Sequence, residues 1–105
     1  MNLHKLMKQA QQMQNKIASV QEEVAKKTVE GAAGGGTVKC VASGDGKLVS
    51  IEISPEVISA DDRDMLQDLV LAAVNNALEN AKAMSQEEMK KVAGGMNIPG
   101  MDGLF

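Results

Sequence analysis

Apolar residues at Leu3, Leu6, Ala10, Met13, Ile17, Val20 and Val24 recur at alternating spacings of three and four. This is the a/d pattern of a helix that packs along a narrow seam. Gln9, Gln11, Gln12, Gln14 and Gln21 occupy the other faces, keeping helix propensity high without a second surface that needs burial. With Asn2 as the N-cap, the pattern predicts a helix from about Asn2 to Ala25.

At Thr28 the period changes from 3.6 to two. The segment TVEGAAGGGTVKCVASGDGKLVSIEIS is rich in β-branched residues punctuated by glycine, and predicts three strands at Thr28 to Ala33, Thr37 to Ser43 and Leu48 to Ser54. Gly34 to Gly36 form the first turn. The second, Gly44-Asp45-Gly46-Lys47, carries the Asp-Gly pair favoured where a central turn residue needs positive φ. Val38, Cys40 and Ala42 alternate with Thr37, Lys39, Val41 and Ser43, and Val49, Ile51 and Ile53 with Ser50, Glu52 and Ser54. The sheet is therefore expected to be an antiparallel meander with one buried face and one wet face.

Pro55 closes the third strand, and SADDRDM opens a helix, with Ser59 or Asp61 as cap and acids facing the positive end of the dipole. Met65, Leu66, Leu69, Val70, Ala73, Val74, Ala77, Leu78, Ala81 and Met84 make a stripe wide enough to cover the sheet and touch something else. The helix is expected to fray or kink near Ser85 and to end at Gly94-Gly95. The tail, residues 96–105, has glycine and proline at a density that predicts a flexible segment. Helix, three strands, helix is an α+β, α-β-β-β-α protomer. A three-stranded sheet offers one face to cover, so the first helix lacks a partner within the chain, and a symmetric homodimer is the expected remedy.

Composition narrows the role. In 105 residues there is room for one core, and with no Trp, no Tyr and one Phe that core is built of small and aliphatic side chains. Cys40 is the only cysteine, which excludes a disulfide framework and fits a reducing compartment. The first residues lack the apolar stretch of a signal peptide and no run is long enough to span a bilayer, so the expectation is a cytoplasmic protein with no membrane partner. Net charge is -3, but its distribution is uneven. Five lysines (Lys5, Lys8, Lys16, Lys26, Lys27) face Glu22 and Glu23 in the first 27 residues, whereas Asp61 to Ala93 holds seven acids against Arg63, Lys82, Lys90 and Lys91.

Candidate chemistry is sparse. His4 and Cys40 lie in different elements, leaving no recognisable metal-ligand spacing, and Cys40 sits at an inward strand position where a small buried hydrophobe is expected. GAAGGGTV leads into a strand and lacks the Lys-Ser/Thr of a phosphate loop. No Gly-x-Ser-x-Gly elbow accompanies the serines, and Asp61, Asp62, Asp64 and Asp68 read as a capping cluster. Neither an enzyme nor a small-molecule substrate is indicated. What remains is Lys5, Lys8 and Lys16, with His4, projecting from outside the helical seam. In a twofold dimer they give two basic arms suited to duplex phosphates, with little means of reading base edges. The bland alternative is that these lysines only solvate a coiled-coil helix.

The stretches LMKQAQQMQ, VEGAAGGGTVKCVASGDGKLVSIEIS, DDRDMLQDLVLAAVNNAL and SQEEMKKVAGGMNIPG together resemble the YbaB/EbfC family of bacterial nucleoid-associated proteins, over essentially the whole chain. The resemblance implies an intertwined homodimer with projecting helices. Residues 1–95 would be the DNA-binding and dimerisation domain, binding double-stranded DNA and changing its conformation, with consequences for nucleoid organisation and gene expression. It implies no cofactor. On the projecting helices it places DNA contact at Lys5, Lys8 and Lys16 and, on the last helix, at Lys90 and Lys91. The competing reading is a protein-interaction adaptor that engages protein partners through its Met-rich helices and the NIPGMDGLF tail.

Overall fold

The computed structural model describes residues 2–95. The order is α1 (Leu3–Lys26), β1 (Thr28–Ala33), β2 (Val38–Ser43), β3 (Leu48–Ile53) and α2 (Arg63–Gly95), the expected α-β-β-β-α protomer. Asn2 caps α1, its side-chain oxygen accepting from the Lys5 N–H at 3.3 Å. At the other end Lys27 adopts extended backbone, and its N–H returns to the Val24 carbonyl at 3.0 Å. The Lys27 carbonyl accepts from the Gly44 N–H at 2.9 Å, which ties the exit of α1 to the β2–β3 turn.

The sheet has the order β1-β2-β3, antiparallel throughout. Gly34, Gly35 and Gly36 all take positive φ, as a tight strand connection requires and a phosphate loop does not explain. In the second turn Gly46 takes φ 83°, the Ser43 N–H donates to the Lys47 carbonyl at 2.8 Å, and the Ser43 hydroxyl donates to the Asp45 carboxylate.

The core lies between this sheet and α2. Val38, Cys40 and Ala42 of β2 and Ala73, Ala77 and Ala81 of α2 are all fully buried, with Val29, Ala33, Ile53, Leu66, Leu69, Val70, Val74 and Leu78 packed around them. Alanines at i, i+4 and i+8 let the helix backbone settle close to the sheet. The approach is closest at Gly31, where a Cβ would stand 2.2 Å from the Ala77 nitrogen. Where α2 crosses the outer edge of β1, two of its asparagines hydrogen-bond to the strand's backbone. Asn76 Oδ1 accepts from the Ala32 N–H at 3.0 Å, and Asn80 Nδ2 donates to the Glu30 carbonyl at 2.8 Å.

Three expectations are corrected. The apolar face of β3 is not buried among the described residues: Val49 is 58% and Ile51 44% exposed, because α2 lies over β1 and β2 and stops short of the third strand. The simple alternation also fails there, since a register shift at Val41/Ala42 pairs Ala42 with Leu48 in place of Val49. Finally, α2 runs as one helix from Arg63 through Ser85 to Gly95. The buried Val92, about three turns beyond Ala81 of the core, accounts for this: the distal segment has packing of its own. The expected tail, 96–105, lies outside the described residues.

Ala77 cannot move away from Gly31 without lifting α2 off β2. Gly31→Ala should therefore lower stability by about 1–3 kcal/mol, read as a fall in the urea midpoint at unchanged slope. Wild-type stability in that variant would show that the helix can shift freely.

Candidate nucleic-acid interface

About 50 Å long for its 33 residues, α2 reaches well beyond the sheet. Its distal half packs against the last turns of α1, where Val24 and Val92 are buried and Ile17 and Val20 half-buried. The molecule is correspondingly drawn out, 72 × 24 × 16 Å with a radius of gyration of 19.8 Å, against about 13 Å for a compact chain of this size. The seam residues thus divide into two groups. Val24 is buried and Val20, Ile17 and Met13 are half-buried, whereas Ala10, Leu6 and Leu3 are exposed, Leu3 to 70%.

The exposed N-terminal turns form an arm. His4, Lys5 and Lys8 lie within its first two turns and Lys16 two turns further in, all exposed and on the side of the helix away from the seam. No acidic residue occurs between Leu3 and Gln21, so over about 28 Å of helix the arm carries three lysines unopposed by a carboxylate of its own element. A shallow hollow of about 370 Å³ bounded by His4, Met7, Lys8 and Gln11 lies on it. Lys90 and Lys91, also exposed, are on the distal part of α2 and belong to a different surface from Lys5 and Lys8.

Lys91 is engaged internally. Its ammonium lies 3.6 Å from Glu88 Oε1, and the same oxygen lies 3.2 Å from the ammonium of Lys27 at the exit of α1. The hydrogen bond from Lys27, then the charges of Lys27 and Lys91, hold the Glu88 carboxyl below the ordinary carboxylate range. The i,i+3 half of this cluster was present in the sequence pattern. Lys27, in contact only through the fold, could not have been assigned from spacing.

Other reactive groups are accounted for structurally. Burial pushes the Cys40 thiol up, away from the thiolate a nucleophile needs. Hydrogen bonding from Ser43, with the charge of Lys47, lowers the Asp45 carboxyl within the turn. Among the described residues no group of three or more His, Cys, Asp or Glu is placed to hold a metal, and no helix is long and apolar enough to cross a membrane.

A second surface escaped the sequence pattern. Between α2 and β3 runs an apolar groove of about 470 Å³ lined by Ile53, Leu66, Gln67, Val70, Leu71 and Val74. Leu71, on its rim, is 61% exposed, and Leu48, Val49 and Ile51 extend the apolar surface along β3. The wide stripe of α2 was legible as one able to reach beyond the sheet, but which residues it would leave uncovered depended on where the helix crosses.

A model of the YbaB/EbfC DNA-binding family matches residues 1–96. A nucleoid-associated protein of Thermoanaerobacter pseudethanolicus is 58% identical over 100 residues, covering 95% of this chain and 90% of the relative. One of Caldanaerobacter subterraneus is likewise 58% identical with the same coverage. One of Pelotomaculum thermopropionicum is 50% identical, covering 95% of each. The crystal structure of an uncharacterized protein from Helicobacter pylori shares the fold, with a TM-score of 0.69 at 22% identity over 91% of this chain and 97% of that one.

The Lys27–Glu88 contact makes the junction of α1 and α2 acid-sensitive. Because folding depresses the Glu88 pKa, its contribution to stability is present above the unfolded value, about 4.3, and is lost as pH falls through the folded one. The thermal midpoint of wild type should exceed that of Glu88→Gln at pH 7, and the gap should narrow as the carboxylate is protonated in acid. A gap of constant size from neutral pH into acid would contradict the assignment.

Proposed function

The chain belongs to the YbaB/EbfC DNA-binding family, and we propose that it acts as a homodimer that grips duplex DNA by its phosphates, with low sequence specificity, and alters the DNA's conformation. The observation that carries this reading is the projecting basic arm: Lys5, Lys8 and Lys16, with His4, on an exposed helix face without acids. That arm outweighs the net charge of -3 because the field close to the helix is set by the nearest groups, within a Debye length of about 10 Å. Lysines meet phosphates as point charges, and α1 contains no arginine to fork onto a guanine edge, so affinity should come from the backbone and not from sequence. Lys90 enters as a secondary contact on α2.

Dimerisation supplies the second arm. Of the sheet's two outer edges, β1 is engaged by Asn76 and Asn80, while β3 remains open beside exposed Leu48, Val49 and Ile51 and the α2 groove. An unpaired strand edge bordered by apolar surface is a template for pairing. A second copy, related by a twofold axis, would cover both and orient the two arms symmetrically. Two phosphate-gripping arms held at a fixed angle can bend or bridge a duplex, which is the route from this geometry to nucleoid organisation and effects on gene expression.

Binding should fall steeply with salt, each phosphate contact adding about 0.9 to the slope of log affinity against log salt. Lys5→Ala with Lys8→Ala should flatten that slope on random-sequence duplex; no binding by the intact protein at low salt rejects the reading. For the dimer, Leu71→Glu places a charge on a side chain that is exposed in one chain and buried in the pair, so it should shift the light-scattering mass from two chains to one without loss of helicity. A mass unaffected by this change would place the interface elsewhere.

A further inference from the structure

The junction of α1 and α2 is built around one carboxylate. Glu88 Oε1 has the Lys27 ammonium at 3.2 Å and the Lys91 ammonium at 3.6 Å, and its side chain is 24% exposed, against 52% for Lys27 and 66% for Lys91. The backbone of Lys27 is fixed through Val24 and Gly44 and that of Lys91 by the helix, so both side chains start from anchored positions within reach of the same anion. An oxygen anion between two ammonium groups is the arrangement a DNA phosphate would make with them.

We propose that Glu88 is an internal competitor for phosphate, an autoinhibitory contact that withholds Lys27 and Lys91 from DNA and holds affinity below what the chain's lysines could give. The proposal rests on the DNA-binding reading of the preceding subsection. Exposed ion pairs of this kind are weak and salt-screened, so Glu88 tunes binding without abolishing it. Its removal frees two cations at the root of the helix pair, Lys27 at the exit of α1 and Lys91 on the distal part of α2. The freed pair adds a second phosphate-binding point at the base of α1, apart from the lysines of the arm.

The test is a double-mutant cycle in DNA binding over a salt series, with random-sequence duplex as the probe. Glu88→Gln should bind more tightly than wild type and steepen the salt slope by up to about 1.8, two added phosphate contacts per bound chain. Glu87→Gln removes the same charge one residue away, from a side chain without an ion-pair partner among the described residues, and should leave the slope nearly unchanged. Lys91→Ala should be close to silent in the wild-type background and should flatten the slope by about 0.9 in the Glu88→Gln background. A purely structural role for Glu88 would weaken binding, and a general charge effect would make the two glutamine variants alike; either result overturns the proposal, as does an equal cost of Lys91→Ala in both backgrounds. If every variant, wild type included, fails to bind at low salt, the DNA reading itself is rejected and the proposal with it.

Discussion

The close approach of α2 to the sheet governs the rest of the molecule. Ala73, Ala77 and Ala81 press against Val38, Cys40 and Ala42, with Gly31 leaving room for the helix backbone. Small residues on both sides make the contact tight but narrow, so its energy comes from dispersion across a dense interface more than from large buried side chains. A narrow contact cannot cover three strands. Placed over β1 and β2, the helix leaves β3 bare, and its own flanking residues, Leu66, Val70 and Val74, form the wall of a groove that no other described residue fills.

The same placement determines where the lysines go. Since α2 is much longer than the strands it crosses, its distal half leaves the sheet and becomes the support on which α1 lies. Support ends before α1 does. The covered part, Val20 and Val24, fixes the direction of the helix, and the uncovered part, Leu3 to Ala10, is carried outward with its cations. Rigidity at the base comes from several independent ties: the backbone hydrogen bond from Gly44 to Lys27, the burial of Val24 and Val92, and the Glu88 ion cluster. A helix directed in this way meets a large polyanion with less loss of conformational freedom than a disordered basic segment would suffer.

Much of this was legible in the sequence because the informative interactions are local. Asn2 as a cap, the period change at Thr28, the Asp45-Gly46 turn and the inward set Val38, Cys40 and Ala42 each follow from neighbours within a few positions. Tertiary placement was not legible. The exposure of Ile51 depends on where α2 crosses the sheet, the shifted pairing of Leu48 on a strand irregularity, and the engagement of Lys27 on Glu88, 61 positions later in the chain. The lysines of the arm could be assigned to a helix face from spacing alone; that nothing would pack over them required the fold.

The two asparagines on α2 bear on more than the strand they touch. Any sheet with two open edges can add strands at both, and a chain that does so has no natural stopping point, which is the geometry of a fibre. Asn76 and Asn80 engage the outward-facing amide of Ala32 and carbonyl of Glu30, which makes the β1 edge a poorer template for another strand than the β3 edge. Pairing through a single edge consumes it in both participants. Pairing through the β3 edge of both copies would close at two, so a bias against the β1 edge is a bias against open-ended growth, even with the apolar margin of β3 exposed.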